Sequence, residues 1–390
     1  MNRYLTLVLL VLGLFPWQAS VYGKIRVDDR LPAGNVVVER MSGDTVFVKP
    51  DLRGNEREWF YWAMRVRGAQ GKTLVFQFPR RCVGARGAVV SLDRGKSFFF
   101  AGGKTGESFT WTFGPADREV YFYECHPYLP KDWRQFIRSL DPSLLRQKVF
   151  CRSRSGKKVP CAVFGRLDGG ERHHVVITAR HHCSESMASY VMEGIAQGCC
   201  AQDETGHWLR EQVELTFVPF VDYDGVVNGE QGKYRSPHDH NRDYLEFLFP
   251  ETRAVSALYL EKHPDIILDL HCPWISGEGN ELVYSPLGNP ANDPDPASEV
   301  RFTQMLERYA DGLPYKAENN LPFGVSWNTG SNYAGGMSCL RWARANAPGA
   351  HVCRSLEIPF ANAQGTEVNP ESCRAFGRGI AKAIAAWFQD

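Results

Sequence analysis

His174-Val175-Val176-Ile177-Thr178-Ala179-Arg180-His181-His182-Cys183-Ser184-Glu185 decides how the larger part of this 390-residue chain is read. Residues 174–178 are mostly apolar, as in a strand buried on both faces, and such strands belong to parallel sheets covered by helices. The run breaks at Arg180, and Met187, Tyr190 and Val191 follow at helical spacing. A strand-to-helix turn of this kind lies at the carboxyl end of a sheet, where open α/β folds bind ligands in a crevice. His182 and Glu185, three apart on that turn, can both face the crevice.

Working outward, Leu215 to Val221 and Ile266 to Leu270 are further apolar runs. Val255, Leu258 and Tyr259 recur at helical spacing before Pro264, as do Phe376, Ile380, Ala383, Ile384 and Trp387 near the end of the chain. These give an α/β domain over residues 131–390, with a mixed, mostly parallel sheet flanked by helices. Upstream, from Val36 to about Cys125, apolar and polar residues alternate at period 2. Phe60, Trp62, Met64 and Val66 fall on one face and Arg65 and Arg67 on the other, with turn clusters at 68–71, 93–95 and 101–106. Residues 24–130 are therefore expected to form an antiparallel β-sandwich domain.

The first residues carry Arg3, an apolar run from Leu5 to Phe15, Pro16, and small residues at Ala19, Ser20 and Gly23. This pattern predicts a signal peptide over 1–23 and a secreted or periplasmic mature protein. The run is shorter than the roughly 20 apolar residues a spanning helix needs, so no stable membrane insertion is expected after cleavage. Lys plus Arg (45) almost cancels Asp plus Glu (44), which leaves no field to gather nucleic acid. A peptide or small molecule is the expected partner. In an oxidising compartment the eleven cysteines could pair, and Cys151 and Cys161, placed symmetrically about Ser155-Gly156-Lys157, are the best local candidates.

Four pieces carry chemistry. His182 with Glu185 is the first, a weak signal alone. Ile266 to Leu270 delivers His271 at the carboxyl end of a second buried strand; it is either a satisfied core histidine or the third member of a His, Glu, His set that leaves zinc a position for water. The loop after Val218 brings Arg235 and Asp239-His240-Asn241-Arg242. It is either a solvated excursion or a binding loop, in which Asn241 and Arg242 supply the amide and planar fork that suit a terminal carboxylate and Arg235 polarises a carbonyl. Glu357, between Leu356 and Ile358, is either an edge-strand surface residue or a general base held in a cleft.

In order and wording these pieces resemble the zinc carboxypeptidase superfamily, most closely its cytosolic carboxypeptidase-like branch. The residues that carry the resemblance are TARHHCSESMASYVMEG (178–194), VPFVDYDGVVNGEQGKYR (218–235), DHNR (239–242) and DLHC (269–272). WFYWAMRVRG (59–68) and YFYECHPYLPKDW (121–133) are similar to the β-sandwich that precedes the peptidase domain in that branch. The resemblance implies one zinc per chain on His182, Glu185 and His271, with Asp239 orienting a metal histidine. It implies terminal-carboxylate recognition by Asn241 and Arg242, oxyanion stabilisation by Arg235 and base catalysis by Glu357. The activity implied is hydrolysis of C-terminal peptide or isopeptide bonds in substrates with a free carboxylate.

The sequence departs from the family pattern in places. Cys183-Ser184 stands where the family has Pro-Gly, Cys272 replaces a Gly, and Asp222-Tyr223-Asp224-Gly225 replaces Asn-Pro-Asp-Gly. Cys183 and Cys272 are accordingly candidates for a disulfide beside the metal, and Tyr333 is a candidate counterpart of the mobile tyrosine of digestive carboxypeptidases. Two other readings stay open: an N-acyl amino-acid deacylase on the same scaffold, and a non-catalytic peptide-binding module. Deacylases of that type append a β-rich region after the catalytic Glu, whereas mostly helical residues follow Glu357.

Overall fold

The computed structural model describes residues 25–289, 295–347 and 349–389. The leader-like stretch expected over 1–23 lies outside them. Nine strands come first: β1 (Arg26–Asp28), β2 (Val37–Ser42), β3 (Thr45–Lys49), β4 (Ala63–Arg67), β5 (Thr73–Gln77), β6 (Val89–Ser91), β7 (Phe99–Phe100), β8 (Ser108–Thr112) and β9 (Glu119–Tyr123). They form two sheets, ordered β1-β4-β9-β6-β7 and β2-β3-β5-β8. The period-2 face identified in the sequence is their shared core: Phe60, Trp62, Met64 and Val66 are fully buried, and the Trp62 ring stacks on Phe109 of the other sheet at 5.6 Å. On the opposite face Arg65 Nε donates to Asp28 Oδ1 at 2.8 Å. Pairing is antiparallel except between β3 and β5, which run parallel, because the chain leaves for β4 in the other sheet before it returns.

The second part comprises α1 (Pro130–Ser139), β10 (Leu145–Arg152), β11 (Lys158–Gly165), β12 (His173–Ala179), α2 (Met187–Cys200), α3 (Glu204–Gln212), β13 (Val213–Val218), α4 (Tyr223–Asn228), α5 (Pro250–Lys262), β14 (Ile266–His271), α6 (Pro296–Tyr309), α7 (Cys339–Asn346), β15 (Val352–Glu357) and α8 (Pro370–Gln389). Its sheet is ordered β10-β11-β13-β12-β14-β15. The last four strands are mutually parallel and the β10–β11 hairpin is antiparallel at one edge. Every residue of β13 and β14 is buried, which is why these strands read as unbroken apolar runs. Helix α2, which follows Glu185, is fixed by a close crossing with α8. A Cβ on Gly194 would stand 2.1 Å from the Arg374 carbonyl oxygen, so only glycine permits the approach.

No disulfide joins the eleven cysteines. The β10–β11 hairpin exists, yet Cys161 lies opposite Lys148 and Cys151 opposite Val159, because a bulge between Val149 and Cys151 shifts the register. Cys183 does not reach Cys272 either; its thiol donates to the Glu230 carbonyl at 3.1 Å.

One apolar cluster runs from Val36 to Trp387 and joins the two parts. The Phe60 ring, from the first part, meets Phe360 at 5.3 Å and Trp274 at 4.9 Å, both from the second. The early strands are thus seated against the carboxyl edge of the parallel sheet. Among the described residues no helix is long and apolar enough to cross a membrane.

Candidate metal and catalytic site

Three neighbouring parallel strands, β12, β14 and β15, end together, with Ala179 in register with Leu270 and His271 with Glu357. Adjacent strands lie about 4.8 Å apart, so side chains at these ends converge. The turn after β12 is closed by Arg180, which adopts φ 64°, a conformation uncommon outside glycine. Its buried guanidinium donates from Nε to the Cys183 carbonyl at 2.9 Å, and from Nη1 to the Tyr128 carbonyl and Ser189 Oγ at 3.1 Å each. Gly232, at φ +80°, lets the following loop approach: a Cβ there would fall 2.6 Å from the Cys183 nitrogen. That approach brings Lys233 and Arg235 beside the turn that bears His182.

The buried His182, Glu185 and His271 present ligand atoms within 4.8 Å of one another. His182 Nδ1 lies 2.7 Å from Glu185 Oε1, and His271 Nδ1 lies 2.8 Å from Oε2 of the same carboxylate. The far nitrogens also face carboxylates: His271 Nε2 is 2.8 Å from Asp269 Oδ2, and His182 Nε2 is 3.5 Å from Asp239 Oδ1. A neutral imidazole has one N–H. If each ring gives it to its aspartate, two lone pairs are left aimed at a carboxylate in a buried site, an arrangement that calls for a cation between them. The donor set of two imidazoles and a carboxylate is one that zinc takes, and the residues present fit that ion. The electrostatics agree. Burial opposes charge on His271, but Asp269 and Glu185 outweigh it and hold the ring well above its usual pKa. Burial would likewise raise Glu185, and the two histidines hold it far below the carboxylate range.

His181, Asp269 and His271 form a second grouping. His181 is already engaged on both sides, with Nδ1 2.8 Å from Asp269 Oδ1 and Nε2 2.7 Å from the Tyr244 hydroxyl. This set buttresses His271 rather than opening on a cavity, whereas His182 and His271 line one of about 510 Å³.

Glu357 lines the same cavity and is buried, its main chain paired with Tyr284 through a 2.8 Å hydrogen bond from its own N–H. Burial raises its carboxyl to about 7, with Glu185 adding to the rise and His271, Lys233 and His182 opposing it. Asn241 accepts the Cys339 N–H at Oδ1 (2.9 Å), which fixes its amide plane, and its Nδ2 stands 3.4 Å from His271 Nε2. Arg242 spends Nη1 on the Asn241 carbonyl and Nη2 on that of Asn332, at 2.8 and 2.9 Å, and lines the cavity beside Asn241. Arg235 is held by Asp222 at 2.6 Å and Glu230 at 2.9 Å, while its buried Nε and Nη1 have no hydrogen-bond partner. The structure therefore brings all eight of the sequence-selected residues to one edge of the sheet. Tyr333 also lines the cavity; its hydroxyl donates to Asn328 Oδ1 at 2.9 Å, and its ring lies 5.1 Å from the Arg242 guanidinium.

The zinc carboxypeptidase family model matches residues 131–243, the segment that carries His182, Glu185, Arg235, Asn241 and Arg242. Over residues 131–243, and short of His271 and Glu357, the chain matches a zinc carboxypeptidase domain. Zinc is the cofactor this domain implies. Curated relatives include cytosolic carboxypeptidase 2 of Xenopus tropicalis, 29% identical over 43% of this chain and 19% of its own length. Another is cytosolic carboxypeptidase 6 of Mus musculus, 22% identical over 72% of this chain and 54% of its own length. The chain thus spans less than two thirds of these curated relatives. A metallo-carboxypeptidase from Burkholderia cenocepacia shares the fold, with TM-score 0.76, 20% identity, and coverage of 94% of this chain and 99% of that one. The expectation of a secreted or periplasmic protein is corrected by these comparisons, because the curated relatives are cytosolic carboxypeptidases.

Sequence reasoning missed two residues of the site. Asp269 sits two before His271 on one strand, hence on the same face; that spacing was the available signal. Lys233, on the Gly232 turn, lines the cavity with Glu357, and burial together with Arg242 lowers its pKa. Nothing in its local pattern marks it.

Proposed function

We propose that the protein is a zinc metallocarboxypeptidase that hydrolyses the C-terminal peptide bond of substrates with a free carboxylate. The observation that carries this reading is the register of His271 with Glu357 on adjacent parallel strands, which sets a buried carboxyl beside the His182, Glu185, His271 cluster at the wall of one cavity. In it, His182, Glu185 and His271 hold one zinc, and Asp239 orients His182. When bound, the ion supplies Lewis acidity and lowers the pKa of water. Glu357 takes the proton of the attacking water and passes it to the leaving amine. Arg235, anchored by Asp222, turns its unspent donors toward the developing oxyanion. Asn241 and Arg242 hold the terminal carboxylate.

Arg242→Ala tests the reading against a deacylase or an endopeptidase. Turnover of free-acid peptides should fall by about 10²-fold or more, the effect of losing a charge-assisted bidentate contact, while their C-terminal amides, poor substrates at the outset, lose little. Equal losses on acids and amides would overturn the exopeptidase assignment.

A further inference from the structure

Three buried polar side chains that the proposed reaction does not use stand in line up to His271. The Tyr244 hydroxyl is 2.7 Å from His181 Nε2, His181 Nδ1 is 2.8 Å from Asp269 Oδ1, and Asp269 Oδ2 is 2.8 Å from His271 Nε2. Tyr244, His181 and Asp269 have no accessible surface. Apolar residues of the same shape would cost the fold little, so the use of such a chain is to be sought in orientation rather than in stability.

Local structure explains how the three meet. Thr178 and Asp269 are in register on β12 and β14, and the Thr178 hydroxyl donates to Asp269 Oδ1 at 2.8 Å. Arg180, with its positive φ, turns the chain just after β12 and brings His181 to the same oxygen. The rings of His181 and His271 then lie 5.9 Å apart and within 21° of parallel, with the Asp269 carboxylate bridging them. Tyr244 comes from the loop that bears Asn241 and Arg242, and its own N–H is tied to the Met337 carbonyl at 3.2 Å.

The protons of the chain follow from its acceptor. An ionised carboxylate only accepts, so both imidazoles donate to Asp269, His181 from Nδ1 and His271 from Nε2. A neutral ring has one N–H. His181 Nε2 is therefore left to accept, and the Tyr244 hydroxyl donates to it. By the same count His271 Nδ1 keeps its lone pair, aimed toward Glu185 Oε2 at 2.8 Å. The bond made by one nitrogen of a histidine sets the state of the other, and here the acceptor that sets it is itself held, at Oδ1, by Thr178 and His181.

We propose that His181, backed by Tyr244, is a positioning residue for the metal ligand His271: its bond to Oδ1 fixes the plane of the Asp269 carboxylate, and that plane fixes the ring and the proton of His271. The inference rests on the zinc reading above and deepens it. His181 itself is not a ligand in this account.

The test uses the full-length protein and reads zinc affinity by competition with a chelating dye, thermal midpoint by calorimetry, and the visible spectrum of the cobalt-substituted form. In His181→Asn the amide stands about where Nδ1 stood and keeps the donation to Asp269. In His181→Gln it stands about where Nε2 stood, keeping Tyr244 and giving up Asp269. Zinc affinity should stay within about threefold of wild type in His181→Asn and fall about tenfold in His181→Gln, the low end for partners of a metal histidine; the cobalt spectrum should change only in the second. A histidine that merely fills space predicts the reverse order, because Asn leaves the larger void. Tyr244→Phe keeps the ring and removes the hydroxyl, and should weaken zinc about threefold, the effect of one neutral hydrogen bond.

Equal affinities in the Asn and Gln variants, or losses that track the thermal midpoints, overturn the proposal. So does a His181→Asn protein that holds no zinc, which would make His181 a ligand. A wild-type protein that binds zinc, shows the expected order of variants and hydrolyses no peptide removes the hydrolase reading and leaves the positioning role standing. Wild-type hydrolysis with variants indifferent in zinc affinity removes the positioning role alone.

Discussion

Strand β12 carries clusters of the same residue types at its two ends, and the two differ in burial, in spacing and in what lies beside their carboxylates. At the carboxyl end, His182, Glu185 and His271 approach to 2.7–2.8 Å, with imidazole side chains 3–4% exposed. At the amino end, His174 stands 3.8 Å from Glu214 and 4.0 Å from Glu171, its side chain 27% exposed. The amino end already contains its cation: Lys262 Nζ lies 2.7 Å from Glu214 Oε1. The carboxyl end has two imidazoles, each between carboxylates, and no lysine in the cluster. Ligand types in proximity do not by themselves make a metal site; what separates the two ends is whether charge is compensated from within.

The largest effect expected from this comparison is on zinc content. His182→Ala or His271→Ala should abolish tight zinc binding, whereas His174→Ala should leave it at about one per chain. Asp269→Asn should weaken affinity by about 10–100-fold through loss of the partner that orients His271. Elemental analysis and competition with a chelating dye read all of these. Zinc retained in both His182→Ala and His271→Ala, or lost in His174→Ala, would break the comparison.

The smaller effect concerns pH at the amino end. Burial would raise Glu214, but contact with His174 and Lys262 overrides it and holds the carboxyl at about 2. A folded-state pKa below the unfolded value of about 4.3 stabilises above that value, and the stabilisation is lost as pH falls toward about 2. Lys262→Met should therefore destabilise the protein more at pH 7 than at pH 3, as measured by urea unfolding. An equal loss at both pH values would show that the pair is not the compensating contact described.

The parallel sheet was legible in the sequence because β13 and β14 are buried on both faces and so read as apolar runs with sharp ends, from which His271 and the turn of His182 could be placed. The parallel pairing of β3 with β5 was not, because period-2 alternation fixes which face is buried but not strand direction. The Cys151–Cys161 pairing failed for a related reason: symmetric spacing about a turn assumes an unbroken ladder, and the bulge at Phe150 removes it. The donors Asn241, Arg242 and Arg235 could be selected by side-chain chemistry. Lys233 could not, since its place over the Trp59 ring depends on a residue remote in sequence that reaches it only through the packing of the two parts. The leader-like N-terminus led to a location that the curated relatives contradict.

Glu357→Gln tests the central claim most directly. Gln keeps the size of the side chain and can still hydrogen-bond a water, but it cannot accept a proton, and it is not among the metal's proposed ligands. Single-turnover hydrolysis of a free-acid peptide, measured beside zinc content, should show about one zinc per chain and a rate lower by at least about 10²–10⁴-fold, the usual contribution of a positioned general base. A zinc-loaded Glu357→Gln protein that hydrolyses peptide at a near-normal rate would contradict the account.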